Sequence, residues 1–288
     1  MFNFLKFWKL YTAISLTVII LGLASIATWG FRMSIDFVGG TNLEYQLQPK
    51  STSSAIRDVF SRENIEIIDI SEKRNVWSIR TKAIDEKQEA KVRSAIEKDL
   101  KTKITVLRSE TVGPVIGAET LRKTAIAAGL AIIGILFYVA YAFRNMNFAL
   151  SAITALIHDV LVVIGTYSIV SHFFGAELDT LFVTALLTTM SFSVHDTIVV
   201  FDQIRDYRKK GRDGSIEDYA NKALTDTMVR SLNNSMTIIF MLLALVLLGG
   251  STIRFFAVAL LIGTVTGTYS SPFVATPIAV WLEKSKSK

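Results

Sequence analysis

Six long apolar runs, separated by short polar segments, dominate the pattern of hydrophobic and polar positions along the chain. A helix that crosses about 30 Å of hydrocarbon needs roughly 20 mainly apolar residues, and each run is long enough. The pattern therefore predicts a polytopic α-helical membrane protein with six transmembrane helices. The predicted spans are residues 10–31, 124–143, 148–170, 180–201, 231–253 and 255–282.

The first and the sixth runs have features of their own. The first could be the core of a cleaved signal peptide, but such a core has only about 7–15 residues, so an uncleaved helix is favoured. The sixth run contains Gly263, Gly267, Pro272 and Pro277. Proline interrupts the helical hydrogen-bond ladder and small residues let helices approach closely, so we expect a kink or a tight helix contact there.

The composition supports a membrane protein. Of the 288 residues, 51% are hydrophobic and 19% are charged, a balance outside that of ordinary soluble proteins. The net charge of +6 does not indicate nucleic-acid binding, because the basic residues flank apolar runs instead of forming one stripe with aromatic residues. The chain has no cysteine, which excludes disulfides and thiolate metal sites.

Lysine and arginine in the short loops predict the orientation, because cytoplasmic loops carry an excess of these residues. A cytoplasmic N-terminus places most of them inside, whereas the opposite short loops contain only Arg254. Both termini are therefore predicted to be cytoplasmic. The inside set is Lys6, Lys9, Arg144, Arg205, Arg208, Lys209, Lys210, Arg212, Lys222, Lys284, Lys286 and Lys288.

This orientation divides the chain into three parts. Residues 1–31 are predicted to be the cytoplasmic N-terminus and the first transmembrane helix, and residues 32–122 an extracytoplasmic (periplasmic) domain. Residues 123–288 hold transmembrane helices 2–6, with a cytoplasmic loop at 203–229 and a cytoplasmic C-terminal tail. The external part has 16 Lys or Arg and 14 Asp or Glu, which is no conflict because long translocated domains largely escape the charge rule.

The external part predicts a small α+β ferredoxin-like domain. Strand-like alternation occurs at 41–48, 65–70, 76–81 and 104–108, and amphipathic helices are predicted at 53–62 and 85–100. The order β-α-β-β-α-β is that of the ferredoxin-like unit. Because this segment offers no nucleophile–base pair or ligand cluster, a binding or docking role is favoured.

Two carboxylates lie inside predicted spans. Asp159 is near the middle of 148–170, and Asp196 is about five residues from the cytoplasmic end of 180–201. Such a residue costs at least ~2.5–3.5 kcal/mol on insertion and is a functional candidate. Arg230 begins the fifth span on the same side, within reach of Asp196. The sequence therefore predicts a buried Asp196–Arg230 ion pair, whose carboxylate can take up and release a proton as helices move.

Structural roles compete with this interpretation. Arg230 at a span end can instead extend to the lipid headgroups, and His158 and Asp159 can join helices by hydrogen bonds. His158 and His195 each precede an aspartate. Adjacent side chains on a helix point about 100° apart, so a His–Asp relay is not expected.

A metal site and an intramembrane protease are disfavoured. The His-x-x-x-His spacing of helical metal sites is absent, so neither a metal nor a cofactor is predicted. An aspartyl protease needs two carboxylates that share one site. Asp159 and Asp196 supply the number, but neither follows the glycine expected in that class.

Several segments resemble signatures of the SecD/SecF family of protein-export membrane proteins, which belongs to the RND-type superfamily. Residues 36–41 (DFVGGT) resemble its D-F-x-G-G-T signature, and 112–114 (VGP) are similar to its stretch before the second span. Within the spans, 156–160 (LIHDV) resemble L-x-H-D-V, 195–202 (HDTIVVFD) resemble N-D-T-I-V-V-F-D-R, and 230–235 (RSLNNS) resemble R-T-L-N-T-S. The resemblance covers nearly the whole chain in order. Length and six spans fit the SecF branch better than the SecD branch, whose external domain is far larger.

Four positions depart from the family pattern. His195 stands where Asn is usual, Gln203 where Arg is usual, and Ser231 and Asn234 where Thr is usual. All four concern the surroundings of Asp196.

The resemblance implies a subunit of the bacterial Sec accessory complex in the cytoplasmic (inner) membrane. In this family the SecF-type subunit pairs with SecD, and the pair acts with the SecYEG channel and uses the proton-motive force to promote preprotein translocation. The implied partners are a SecD-like subunit, SecYEG, the translocating preprotein, protons and the lipid bilayer, with no nucleic acid. Asp196 and Arg230 correspond to the family's proton-path positions.

Two groups of glycines carry further expectations. The Asp36, Gly39 and Gly40 junction is expected to be a structured hinge or strand start and not a ligand loop, because glycine permits backbone angles closed to other residues. Gly263 and Gly267 are expected to contact the SecD-like subunit through a close helix approach.

Two other functions share parts of this plan. An RND-type exporter of small molecules or lipids usually has two large external loops, whereas the loop after the third span has about eight residues here. A pure assembly scaffold would tolerate neutralisation of Asp196.

Overall fold

A computed structural model describes residues 3–48, 51–73, 75–143, 145–210 and 214–286. The chain divides into two compact units, one of residues 1–32 and 127–288 and one of residues 33–126. The helices are α1 Trp8–Trp29, α2 Ile35–Val38, α3 Ser53–Arg62, α4 Glu86–Asp99, α5 Pro114–Phe143, α6 Met146–Phe174, α7 Thr180–Lys209, α8 Ile216–Leu248, α9 Ser251–Ser270 and α10 Thr276–Lys286. The strands are β1 Arg32–Met33, β2 Gly40–Gln48, β3 Ile67–Lys73, β4 Val76–Thr81, β5 Lys103–Val112 and β6 Glu177–Leu178.

The predicted number of spans is confirmed. In the part of the chain that the structure describes, six helical segments are long and apolar enough to cross a membrane. α5 begins at Pro114, well before its apolar run. Proline is well suited to the first helical position, because the backbone N–H that it lacks would have no partner within the helix there. The segments are Phe4–Trp29, Pro114–Phe143, Met146–Phe174, Thr180–Lys209, Ile216–Leu248 and Thr252–Ser285.

Two connections differ from the sequence prediction. Most of the expected loop at 203–229 is helical, since α7 continues to Lys209 and α8 begins at Ile216. Ser215 starts α8 early because it forms a capping box with Asp218. The fifth span was also expected to end after residue 253. α8 ends at Leu248 instead, next to two glycines that are poor helix formers, so Arg254 lies inside α9.

The sixth span is interrupted, as expected, near its first proline. A π-helical turn at Ser271–Ala275 separates α9 from α10 and contains Pro272. Proline has no N–H to complete the helical ladder, which explains the irregularity.

Small residues allow close helix contacts in the membrane unit, the compact unit of residues 1–32 and 127–288. A Cβ on Gly22 of α1 would lie 2.7 Å from the Cα of Gly165 of α6. One turn away, the hydroxyls of Ser25 and Ser168 are hydrogen-bonded at 2.8 Å. Glycine and serine therefore let these two helices cross at short range, a common device between membrane helices.

Gly263 and Gly267 pack against α7 of the same chain. A Cβ on Gly263 would overlap the side chain of Thr189, and a Cβ on Gly267 would lie 3.2 Å from the Cα of Ser193. The expectation that these glycines contact a partner subunit is therefore wrong. The short spacing was interpreted correctly as a close helix contact, but the neighbouring helix belongs to this chain.

The unit of residues 33–126 contains a four-stranded antiparallel sheet in the order β3-β4-β2-β5. α3 follows β2 and α4 follows β4 along the chain, and both helices have side-chain caps at their first turn, from Thr52 and from Asp85. The core of this unit includes Leu43, Tyr45, Leu47, Ile56, Phe60, Ile79 and Ile96.

Tyr45 is a polar member of this core. Its hydroxyl donates a hydrogen bond to Glu89 of α4 at 2.7 Å. Burial, together with this hydrogen bond, raises the pKa of Tyr45 above its ordinary value. The phenol is therefore held neutral and ties the sheet to α4.

Candidate functional site

Asp159 links three membrane helices. It lies in the middle of α6 and is 4% exposed. Its Oδ2 accepts hydrogen bonds from the hydroxyls of Ser193 on α7 and Ser270 on α9, the latter at 2.7 Å. A buried carboxylate needs such donors because it has lost its hydration. The hydroxyls therefore bind α7 and α9 to α6 at this depth.

His158 contacts the same carboxylate. Its Nδ1 lies 2.8 Å from Asp159 Oδ1, and both side chains are buried. No His–Asp relay was expected from the sequence because adjacent side chains point apart, yet the structure brings these two side chains together. The angle of about 100° between adjacent positions describes only the directions in which the side chains leave the helix. A buried imidazole still turns toward the hydrogen-bond partner within reach.

Asp196 of α7 accepts a hydrogen bond from a hydroxyl group. The donor is Ser231 of α8, which bonds to Asp196 Oδ2. Among the described residues no ion pair joins Asp196 to Arg230, whose side chain is exposed. The expected pair is thus not formed in this structure. Arg230 and Ser231 are adjacent on α8 and point about 100° apart, so only one of them faces Asp196.

The surroundings of Asp196 are rich in hydroxyl groups. A small pocket beside it is lined by residues of α7, α8 and α9, among them Thr264 and Gly267. Across this pocket Ser235 and Thr268 are hydrogen-bonded at 2.6 Å. Hydroxyls can donate to a carboxylate and accept from a carboxylic acid, so this environment accommodates either protonation state of Asp196.

The two carboxylates occupy separate sites. Each has its own hydroxyl partners, and the residues that connect them lie on α7, where Ser193 precedes Asp196 by three positions. Between them Thr197 Oγ1 is 2.9 Å from Ser271 Oγ of the π turn. The arrangement that an aspartyl protease needs, two carboxylates sharing one site, is therefore not formed.

The hydroxyl partners were missed by the sequence analysis. Thr189, Ser193 and Thr197 recur at four-residue intervals on α7 and so form one polar stripe along the helix. This periodicity is the signal that could have identified Ser193, whereas Ser231 and Ser270 lie on α8 and α9 outside this stripe. His195, the other intramembrane polar residue singled out from the sequence, is exposed.

The glycine pair before β2 forms a packed junction. Gly39 has φ +75° and Gly40 has φ +130°, angles that other residues rarely adopt. A Cβ on Gly39 would lie 2.7 Å from the Cα of Pro114, and one on Gly40 would lie 2.8 Å from the carbonyl oxygen of Thr81. Gly40 is the first residue of β2, which agrees with the expected strand start.

Asp36 precedes this junction in the first turn of α2. Its backbone N–H donates to the hydroxyl of Ser34, which caps the short helix, at 3.2 Å. In the described ranges no group of three His, Cys, Asp or Glu residues could hold a metal ion.

These features define a class: a multi-pass membrane protein in which carboxylates within the spans join the helices, with an α+β unit between the first two spans in the chain. Comparison with known proteins identifies the family within this class. Residues 92–285 match the profile described as protein export membrane protein SecD/SecF, C-terminal, and residues 24–50 match the SecD/SecF GG motif. The chain belongs to the SecD/SecF family.

Individual relatives agree with this assignment. The protein translocase subunit SecF of Anaerolinea thermophila is 39% identical, over 98% of this chain and 94% of the relative. The protein translocase subunit SecDF of Thermus thermophilus is 33% identical over 100% of this chain but only 39% of its own length.

A solved structure has the same fold. The crystal structure of SecDF, a translocon-associated membrane protein from Thermus thermophilus, superposes with a TM-score of 0.85 at 32% identity. The alignment covers 98% of this chain and 39% of the SecDF chain. A structure of SecDF in a super-membrane-facing form superposes with a TM-score of 0.70.

Proposed function

We propose that this chain is a SecF-type protein translocase subunit that pairs with a SecD-like subunit and uses the proton-motive force to promote preprotein translocation through SecYEG. It is a transport subunit and not an enzyme. The observation that carries the proposal is Asp196, a carboxylate inside a membrane helix whose one hydrogen-bond partner among the described residues is the neutral hydroxyl of Ser231. A carboxylate without a fixed counter-charge is suited to binding and releasing a proton.

The proton step uses Asp196 and Arg230. In the described conformation Ser231 holds Asp196 while Arg230, on the adjacent helical position, is exposed. A rotation of α8 about its axis, by up to the roughly 100° that separates adjacent helical positions, would exchange Ser231 for Arg230 beside the carboxylate. The arginine would then favour the ionised form and drive the proton off. Moving one charge across the membrane is worth about 2.3 kcal/mol per 100 mV, enough to bias such a two-state rotation.

A SecD-like partner is supported by the architecture of the relatives. The Thermus thermophilus SecDF matches this chain over only 39% of its length, so a single polypeptide carries both the SecF-like part and the remainder. The SecF of Anaerolinea thermophila, which this chain matches over 94% of the relative's length, lacks that remainder, and by analogy we propose that a separate subunit supplies it here. The exposed face with His195 and Arg230 would be covered by this subunit.

The orientation and the external unit complete the proposal. Both termini lie in the cytoplasm of a bacterial cell, the chain spans the inner membrane, and the unit of residues 33–126 faces outward as a ferredoxin-like domain that docks preprotein. Asp36, Gly39 and Gly40 form its hinge. No cofactor takes part.

Isolation of the complex from native membranes tests the assembly part. A tag at the C-terminus of the full chain, solubilisation in a mild detergent and mass spectrometry of the copurified proteins should recover a SecD-like subunit in equal amount, together with SecYEG at lower yield. Recovery of the chain without a SecD-like subunit would contradict the proposal.

A further inference from the structure

A groove on the membrane unit reaches the buried histidine. It has a volume of about 850 Å³ and is lined by α1, α6 and the segment from Phe273 to Lys284. Trp8 and Lys284 line one end, while Ile19, His158 and Leu161 line the part near the middle of the helices. α1 starts and α10 ends on the same side of a chain with six spans. The groove therefore leads from one membrane surface to mid-membrane depth.

His158 has one satisfied and one unsatisfied nitrogen. Its side chain is 8% exposed, and Nδ1 is engaged with Asp159. Nε2, on the opposite side of the ring, is buried and has no hydrogen-bond partner in the described part of the chain. An orphaned buried nitrogen costs free energy and calls for an explanation. A nitrogen that exchanges protons with the groove supplies one.

We propose that His158 and Asp159 form a second protonation site, separate from Asp196, which exchanges its proton through this groove. A proton enters on His158 Nε2 and makes the ring an imidazolium. The proton on Nδ1 then passes to Asp159 Oδ1, so the ring returns to its neutral form and the carboxylate becomes a carboxylic acid. The Nε2–H and Oδ1–H bonds form and the Nδ1–H bond breaks, so the net change is the uptake of one proton, and the ring ends in its other neutral tautomer.

Protonation of Asp159 would loosen the helix contacts it makes. The carboxylate accepts from both Ser193 and Ser270 at Oδ2, and hydrogen bonds to a charged acceptor are roughly twice as strong as neutral ones. A neutral Asp159 would hold α7 and α9 less firmly. Ser193 lies one turn from Asp196 on α7, so the two sites act on the same helix. The inference thus deepens the proposed function, on which its biological use rests.

Other ionisable groups near this site are already engaged. At the surface end of the groove Glu217 and Lys284 form an ion pair with each other. The ring of Tyr269 on α9 lies 6.4 Å from that of His158, and its hydroxyl donates to a backbone carbonyl of α1 at 2.9 Å. On the helices packed against the site, Tyr269 of α9 lies beside the His158 ring, while Glu217 of α8 and Lys284 of α10 line the surface end of the groove. On α7, Asp196 lies one turn beyond Ser193, in its own pocket.

Infrared difference spectroscopy tests this site without measuring export. The full chain in its native complex is reconstituted into liposomes, and the carboxylic-acid band that appears on acidification is assigned by its loss in Asp159→Asn. We expect hydrogen–deuterium exchange at this band to slow about a hundredfold in His158→Gln, since a positioned acid–base group contributes at least that factor. His172→Gln is the matched control, because this histidine also lies on α6 but is exposed.

A second variant keeps the test informative if His158→Gln misfolds. Thr154 lines the groove one turn before His158. Among the described residues, its side chain bonds only to a backbone carbonyl of its own helix. Thr154→Phe should slow exchange at the Asp159 band by narrowing the groove. The inference is overturned if the Asp159 band does not titrate, or if both variants exchange at the parent rate. A titrating Asp159 in a protein whose export ignores the gradient would instead contradict the proposed function alone.

Discussion

The hydroxyl of Ser231 on α8 donates a hydrogen bond to Oδ2 of Asp196 on α7. This bond joins two membrane helices at the carboxylate that we assign to proton transfer. Arg230, one residue earlier on α8, is exposed. Asp196 thus has a neutral partner, Ser231, in this structure, and a charged residue, Arg230, at the next position of the same helix. The proposed two-state step exchanges the first for the second.

Loss of the Ser231 hydroxyl should weaken the gradient-dependent part of export. A hydrogen bond to a charged group is worth about 1.5 kcal/mol or more, roughly tenfold in an equilibrium between two conformations. Ser231→Ala should reduce the stimulation by a proton gradient several-fold in a vesicle export assay. Ser231→Thr retains a hydroxyl and serves as the control. Equal stimulation in Ser231→Ala and the parent would show that this bond has no part in the cycle.

Enlargement of Gly263 should destabilise the membrane unit itself. A Cβ there overlaps Thr189 of α7, and overpacking costs about 1–3 kcal/mol. Gly263→Ala should lower the midpoint of thermal unfolding in detergent. The second change Thr189→Gly, which also removes the Thr189 Cβ that the added methyl group would overlap, should restore part of the loss. Gly134→Ala on α5, where a Cβ meets nothing within 4 Å, is the control. A Gly263→Ala protein as stable as the control would refute the α7–α9 contact.

The glycine junction should tolerate no side chain at Gly39. Valine would combine a positive φ, which costs about 1–3 kcal/mol, with a clash against Pro114. Gly39→Val should impair export while the membrane helices still assemble, as judged by copurification of the SecD-like subunit. At Gly30 φ is also positive but a Cβ meets nothing, so Gly30→Ala isolates the effect of backbone angle. Normal export by Gly39→Val would remove the hinge proposal.

Cysteine labelling can decide the orientation, because the chain has no native cysteine. Ser94 on α4 and Lys209 at the end of α7 are both exposed. Single cysteines at these positions should react with a membrane-impermeant reagent from opposite sides: Ser94→Cys in intact cells, Lys209→Cys only in inverted vesicles. Labelling of both from one side would overturn the proposed topology.

The sequence alone located the carboxylates but not their partners. Asp159 and Asp196 are evident as charges within apolar runs, and in the unit of residues 33–126 the strands follow the alternation and the helices follow their capping residues. Which face of each span meets another helix depends on packing, which apolar runs do not encode. Charge alone therefore predicts Arg230 as the partner of Asp196. In the structure, the rotational position of α8 about its axis turns Ser231 toward Asp196 instead. For the same reason Gly263 was assigned to a partner subunit although its neighbour is Thr189 of this chain.

Gradient-dependent export in vesicles that contain Asp196→Asn tests the central claim most directly. Asparagine mimics the protonated carboxyl and cannot release a proton, so the variant should copurify with the SecD-like subunit yet show the same export with and without a proton gradient. Arg230→Ala should behave alike, while Arg230→Lys keeps a charge and part of the response. Asp202→Asn is the control, since this exposed acid pairs only with Arg205 of its own helix among the described residues. If Asp196→Asn vesicles respond to the gradient as the parent does, Asp196 is not the proton carrier and the account is wrong.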